Sequence, residues 1–314
     1  MTPPLTDHIA AYLRLQQKML GKSFVAEAKV LRSFEEYVSS REHLGPITQE
    51  IAIAFATDDG ERSPERSWKR YNVVRHFAHY LAVFVPGTSV LDPRALRRHL
   101  SRTPPFVFGD DELTRLFLEA RSPRKSQIAA ATHYATFGLA VSTGLRVGEV
   151  IGLDDDEVDL DGCLLKVCDT KFRKDRLVPI HTSVAAALRE YRIVRDAVFS
   201  KRTDRAFFVS TTKGKRFYQD SLTLAFAAVA RRARLQRPDG HEPTFHSLRH
   251  TFAVRRLMEW YREGVDVQAM LPVLATYMGH VNYTSTAYYL TATPELLALA
   301  ADRHAKHVEE VGHG

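Results

Sequence analysis

Cysteine is nearly missing from this 314-residue chain: Cys163 and Cys168 are the whole supply. Two cysteines make no disulfide framework, and a reduced, cytosolic setting is the expectation. They stand an odd number of positions apart, so on one strand they would face opposite sides. Both are read as packing residues rather than metal ligands. No apolar run approaches the ~18–20 residues of a membrane-spanning helix. Residues 1–11 lack the basic-then-apolar order of a secretory signal. Internal repeats and low-complexity blocks are missing too. At ~100–200 residues per domain the length suggests two domains, each large enough to bury a core.

What the chain does hold is positive charge: 44 Lys and Arg against 37 Asp and Glu, a net +7. Such an excess favours a polyanionic partner, because cations that neutralise phosphates release counterions. The charge is also clustered. Residues 62–75 carry Arg62, Arg66, Lys69, Arg70 and Arg75 against the single acid Glu65, and residues 94–102 carry Arg94, Arg97, Arg98 and Arg102 with no acid. Arg62, Arg66, Lys69, Arg70, Arg97 and Arg98 are the candidate DNA contacts; the plainer alternative is a solvated helix face and a soluble linker.

Helical periodicity dominates the first half. Ile9, Tyr12, Leu13 and Leu20 mark a helix over 6–20 that Gly21 stops; Val25, Val30, Leu31 and Phe34 mark one over 23–38. Thr48 with Glu50 opens a third. Ser63-Pro64 opens a fourth, which carries Trp68, Tyr71, Val74, Phe77, Leu81 and Phe84 to a stop at Pro86-Gly87. Four helices predict a small bundle. Prolines 93, 104 and 105 then flank the second basic run, which predicts an extended, exposed stretch over 87–106.

The second half predicts a helix capped by Asp110, a long helix over 126–142 ending at Thr143-Gly144, and β-rich runs at 163–168 and 175–180 around the polar turn Lys171–Lys174. Helices follow at 182–196, 219–234, 247–262 and 267–278, with a last pair at 284–290 and 294–303. The fold class is therefore mainly α with a small β-sheet or hairpin in the C-terminal domain. A helical bundle over 1–100 is followed by a linker over 101–106, an α+β domain over 107–303 and a solvated tail over 304–314. The acidic stretch from Asp154 to Gly162 mimics the first half of a calcium loop if counted from Glu157. Its twelfth position is then Cys168, not Glu, so it is read as a polar turn before the hairpin.

Three segments carry chemistry. In Thr143-Gly144-Leu145-Arg146-Val147-Gly148-Glu149, Gly144 allows a sharp turn and Arg146 has an acid, Glu149, within reach. In Phe245-His246-Ser247-Leu248-Arg249-His250, residues 246, 249 and 250 share one helical face. Two imidazoles and a guanidinium there suit an anion, and no nearby thiolate or carboxylate completes a zinc set. In the third, Tyr277-Met278-Gly279-His280 precedes a separate short helix bearing Tyr289.

In this order the segments resemble the tyrosine recombinase (phage integrase) family, most closely over 107–303. The ending Tyr-Tyr-Leu-Thr-Ala-Thr-Pro-Glu-Leu-Leu is similar to that of insertion-element members. The resemblance implies that the bundle is a core-binding domain and that Arg146, Lys171 (in Thr-Lys-Phe-Arg-Lys-Asp-Arg-Leu-Val-Pro-Ile), His246, Arg249, His280 and Tyr289 are catalytic. It further implies two domains clamping duplex DNA, a 3′-phosphotyrosyl intermediate, and a homo-tetramer on two sites that passes through a Holliday junction. Arg146 and Arg249 would clamp the phosphate, Lys171 would protonate the leaving oxygen, and His246 is the candidate base. No metal ion or other cofactor is expected, and covalent attachment permits rejoining without ATP. DNA integration or transposition is the implied setting. An arm-binding domain is not expected, since nothing precedes the bundle.

Several alternatives stay open. Tyr288 adjoins Tyr289 as a rival nucleophile. The stretch from Arg249 to His280 is longer than in simple Xer-type members, so an extended helix or extra turn is expected around 259–274. The helix over 293–303 can dock onto a neighbouring protomer or pack in its own core. Rival functions are a type IB topoisomerase, or a catalytically silent DNA-binding relative.

Overall fold

The computed structural model describes residues 5–21, 24–43, 45–58, 63–97, 104–122, 126–168, 175–280, 284–291 and 293–312, and of 284, 291 and 304–312 the backbone only. The chain divides into two compact units, residues 1–103 and 104–314.

The first unit holds α1 (Leu5–Leu20), α2 (Val25–Ser39), α3 (Gln49–Thr57) and α4 (Pro64–Leu81). Thr48 and Ser63 cap α3 and α4 by accepting from the N–H groups of Ile51 and Arg66, satisfying donors the helix itself cannot. Phe34, Phe55, Tyr71 and Phe77 are buried at the centre, with Phe34 edge-on to Phe55 at 5.0 Å. Each such ring contributes roughly 1.5–3 kcal/mol. Helix α4 ends at Leu81, short of the expected Pro86-Gly87 stop. The chain continues through turns in which the Phe84 and Val85 N–H groups both donate to the Leu81 carbonyl at 2.9 Å, and Phe84 is exposed. Nor is the stretch after Gly87 an exposed linker throughout. Leu91 is buried in the bundle core, and the Tyr71 hydroxyl donates to the Asp92 carbonyl at 2.7 Å.

The second unit runs α5 (Asp110–Arg121), α6 (Gln127–Thr143), α7 (Val147–Gly152), β1 (Val158–Asp159), β2 (Leu164–Val167), β3 (Arg176–Pro179), α8 (Thr182–Val198), α9 (Gln219–Arg232), α10 (His246–Arg262), α11 (Val267–Met278), α12 (Thr284–Ala287), a 3₁₀ turn (Tyr288–Thr291) and α13 (Pro294–Gly312). The strands form one antiparallel sheet in the order β1-β2-β3, with Leu165 opposite Val178. Asp110 is the first helical residue of α5 rather than its cap. Gly109 holds the cap position and donates its N–H to the Glu112 carboxylate at 2.8 Å.

Helix α6 is buried on most of its circumference, as expected of a helix apolar all round; it packs against α5, α8 and α10. A second cluster joins Phe252, Leu257, Leu271, Met278, Tyr289 and Leu296, tying α10 and α11 to the 3₁₀ turn and to α13. Leu296 is fully buried there, so the start of α13 packs within its own unit, while Leu297 is exposed. The backbone of α13 continues to Gly312, past the expected end at 303. The long stretch around 259–274 holds the end of α10, a left-handed turn at Gly264 and the first part of α11.

The acidic stretch is an ion-paired 3₁₀ turn (Asp155–Glu157) leading into β1. Asp154 meets Arg216, Asp155 meets both Arg202 and the buried Arg195 (2.7 Å), and Asp156 meets Arg205 at 2.8 Å. Cys163 is half-buried against the core, but Cys168 is exposed and is no packing residue. Its thiol donates to Glu157 at 2.9 Å, and that bond, with burial second, pushes the thiol up to about 11. No helix among the described residues is long and apolar enough to cross a membrane.

Candidate active site

Two glycines frame the site. Gly144 ends α6 and Gly279 ends α11, both left-handed at φ +66°. A Cβ at Gly144 would lie 2.5 Å from Phe252, and one at Gly279 would lie 2.7 Å from the Arg176 guanidinium. The left-handed backbone favours glycine at both places, and at Gly144 the Phe252 ring also leaves no room for a side chain. The carbonyls at these helix ends lack helical partners and are taken up by arginines. Arg249 donates to the carbonyls of Gly144 and Met278, the latter at 2.8 Å, and Arg146 donates to that of Gly279 at 2.8 Å.

Glu149, on α7, gathers the guanidiniums. Arg146 reaches it at 2.9 Å, Arg176 at 3.0 Å and Arg249 at 4.0 Å. Burial alone would raise the carboxyl pKa; hydrogen bonds from Arg176 and Arg146 outweigh it and hold the acid below its usual range. Three cations against one carboxylate leave a positive surplus beside Tyr289. Arg249 is 1% exposed. Burial, then Arg146, bring its pKa down to about 10, which leaves it charged at neutral pH.

Tyr289 is buried, its ring 5.5 Å from that of His250 and nearly parallel to that of His280 at 6.3 Å. Its hydroxyl lies 3.0 Å from His250 Nδ1. Burial raises its pKa, opposed by the Arg249 charge. His280 Nδ1 contacts the Thr286 hydroxyl at 2.6 Å. Burial first, then neighbouring positive or imidazole groups, push His250 and His280 down to about 3. His246, the expected base, keeps an exposed edge at the start of α10, with its ring 4.6 Å from that of His250. Among the described residues no hydrogen bond joins His246 to Tyr289. The neighbouring Tyr288 ring is half-buried, 5.8 Å from that of Tyr289.

Arg146, His246, Arg249, His280 and Tyr289, drawn from four separate segments, thus converge; Lys171 lies outside the described residues. Sequence reasoning assigned no role to Arg176, and placed His250 only on an anion-binding face with His246 and Arg249, with no catalytic role. The signal for Arg176 was a charged residue on the inward alternation of a strand. For His250 it was the shared helical face with His246.

The basic residues of the first unit divide. Arg66 and Lys69 are exposed on α4, Lys69 pairing with Glu65 at 2.7 Å, and Arg97 is exposed. Arg70 instead turns inward, its guanidinium 3.8 Å above the Phe55 ring and donating to the Phe55 carbonyl at 3.0 Å. Arg62 and Arg98 lie outside the described residues.

The chain is similar to known proteins along most of its length. The phage integrase family model matches residues 107–295. "Putative integrase/recombinase y4rE" of Sinorhizobium fredii is 41% identical over 300 residues, covering 95% of each chain. Tyrosine recombinase XerC of Chlorobaculum tepidum is 31% identical over 230 residues, 66% of this chain and 62% of its own. Two solved structures share the fold. The XerH site-specific recombinase in a post-cleavage complex with its difH substrate has a TM-score of 0.67 at 18% identity, covering 88% of this chain and 78% of its own. The Tn1549 transposon integrase bound to transposon right-end DNA has a TM-score of 0.68 at 14% identity, covering 99% and 100%. With a family match over well more than half of its length and a close relative aligned along nearly all of it, the chain belongs to the phage integrase family of DNA-breaking and -rejoining, site-specific tyrosine recombinases.

Proposed function

We propose that this chain cuts one DNA strand with Tyr289 as the nucleophile, holds the strand as a 3′-phosphotyrosyl intermediate and rejoins it to a new partner. The observation that carries the reading is the burial of Tyr289 near Arg249 and Arg146, where the expected catalytic groups among the described residues meet. In the step, Tyr289 Oη bonds to phosphorus and the bond from phosphorus to the 5′ oxygen breaks. Arg146 and Arg249 stabilise the charge that develops on the non-bridging oxygens. His280, fixed by Thr286, and His246, at the open end of α10, hydrogen-bond to the same phosphate. Lys171 gives the departing 5′ oxygen its proton. Arg66, Lys69 and Arg97 contact DNA phosphates, which position without specifying sequence.

Assembly as a homo-tetramer on two DNA sites follows from the family reading, in keeping with the lambda integrase tetramer bound to a Holliday junction, which shares the fold at a TM-score of 0.60. The transposon integrase among the fold's neighbours favours mobile-element integration or transposition as the setting. A nicked suicide duplex tests the chemistry. Wild type accumulates a covalent protein–DNA adduct, Tyr289→Phe binds the duplex without forming it, and Tyr288→Phe forms it. An adduct that survives Tyr289→Phe would overturn the assignment.

A further inference from the structure

His250 is the side chain the family pattern leaves unassigned, yet its Nδ1 lies 3.0 Å from the Tyr289 hydroxyl. The surroundings fix what that contact can do. The Arg249 charge also acts on the Tyr289 hydroxyl, and a guanidinium only donates. The tyrosine proton therefore has to point to an acceptor, and His250 Nδ1 supplies one when its ring carries hydrogen on Nε2. The position is held from both sides. His250 sits one helical turn after His246, whose ring meets it edge-on at 4.6 Å, and Tyr289 packs in the same buried cluster as Phe252 and Leu257 of α10.

We propose that His250 is the proton acceptor for the Tyr289 nucleophile. The inference rests on the strand-transfer reading above and moves the base role from His246 to its neighbour one turn along α10. As Tyr289 Oη bonds to phosphorus, its proton passes to His250 Nδ1, the bond to the 5′ oxygen breaks, and that oxygen takes a proton from a separate acid. On rejoining, the incoming 5′ hydroxyl returns its proton to the separate acid as its oxygen bonds to phosphorus, the bond from phosphorus to Tyr289 Oη breaks, and the imidazolium returns its proton to that oxygen. No atom or electron pair is left over. Before DNA binds, burial keeps the imidazole neutral and so able to accept. The phosphate brings negative charge beside it and favours the protonated ring at the moment it forms.

The test uses the full-length protein and a tiled set of nicked suicide duplexes covering the DNA on both sides of its gene. Silence of the wild type on every duplex would overturn the strand-transfer reading and this role with it. On the duplex that wild type cuts, His250→Ala and His250→Asn are compared, the Asn oxygen standing near the Nδ1 position without its basicity. Both are expected to bind DNA as wild type does and to form adduct about 100-fold or more slowly, the scale of a lost general base. Replacing the 5′ bridging oxygen by sulfur removes the need for an acid but not for a base. The defect should therefore persist on that substrate, and added imidazole should partly restore His250→Ala. Wild-type rates in the Asn variant, or full recovery with the sulfur leaving group, would overturn the role. Matching thermal melts for the Asn variant separate a chemical defect from a folding one.

Discussion

Glu149 and Arg176 stand 27 positions apart in sequence, on α7 and β3, yet form a 3.0 Å ion pair whose two side chains are 12% and 11% exposed. The same guanidinium donates to the Tyr277 carbonyl at 2.9 Å. One side chain thus ties the hairpin strand both to the carboxylate that orients Arg146 and to the end of α11. Removing one partner of a buried pair leaves an uncompensated charge and costs about 3–5 kcal/mol. Glu149→Gln is expected to lose that order of stability in urea unfolding and to slow adduct formation by loosening Arg146. Unchanged unfolding would contradict the pairing.

At Gly279 the expected effect is geometric. Alanine there must hold a left-handed backbone, at about 1–2 kcal/mol, and push against Arg176. Gly279→Ala should therefore lower the melting temperature and reduce the cleavage rate together, since Arg146 donates to this residue's carbonyl. A variant that melts lower but cleaves at the wild-type rate would show that the carbonyl does not position Arg146.

For the N-terminal bundle the prediction separates neighbours. Arg66→Ala and Lys69→Ala should weaken DNA binding and each lower the slope of log K against log salt by about 1. Arg70→Ala should leave the slope alone and destabilise the bundle, because its guanidinium is spent on Phe55. Titrations from low to moderate salt distinguish the two outcomes.

Stability should also report the buried imidazoles. Unfolded histidine titrates near 6.5, while His250 and His280 in the folded chain are held at about 3. Their folded values are depressed, so between those limits the unfolded chain takes up protons that the folded chain refuses. Stability is then full above about pH 6.5 and falls as pH drops toward 3. Between pH 7 and 5, above the range of most carboxylates, the melting temperature should decline, and less steeply in His250→Asn. An identical slope in the variant would remove His250 from the account.

Much of the scaffold was legible because long helices advertise themselves. The apolar spacing of α8, α10 and α11 and the glycine ends of α6 and α11 lie close to where periodicity and capping put them. Elements too short for a period were missed: α7, with six residues, and β1, with two. The acids before the hairpin read as a polar turn because their arginine partners, such as Arg195 and Arg216, come from distant segments. The site shows the same division. Residue types in order pointed to Arg146, His246, Arg249, His280 and Tyr289, but spacing along α10 gives only the shared face of His246 and His250. Which ring meets Tyr289 depends on how the 3₁₀ turn packs against α10, a tertiary fact with no local signature.

The most direct measurement of the central claim is the identity of the residue that carries DNA. An adduct trapped on a suicide duplex, digested with protease and nuclease and sequenced by tandem mass spectrometry, should carry a nucleotide 3′-phosphate on Tyr289. A nucleotide on Tyr288 or another side chain, or cleaved DNA with no protein attached, would contradict the account.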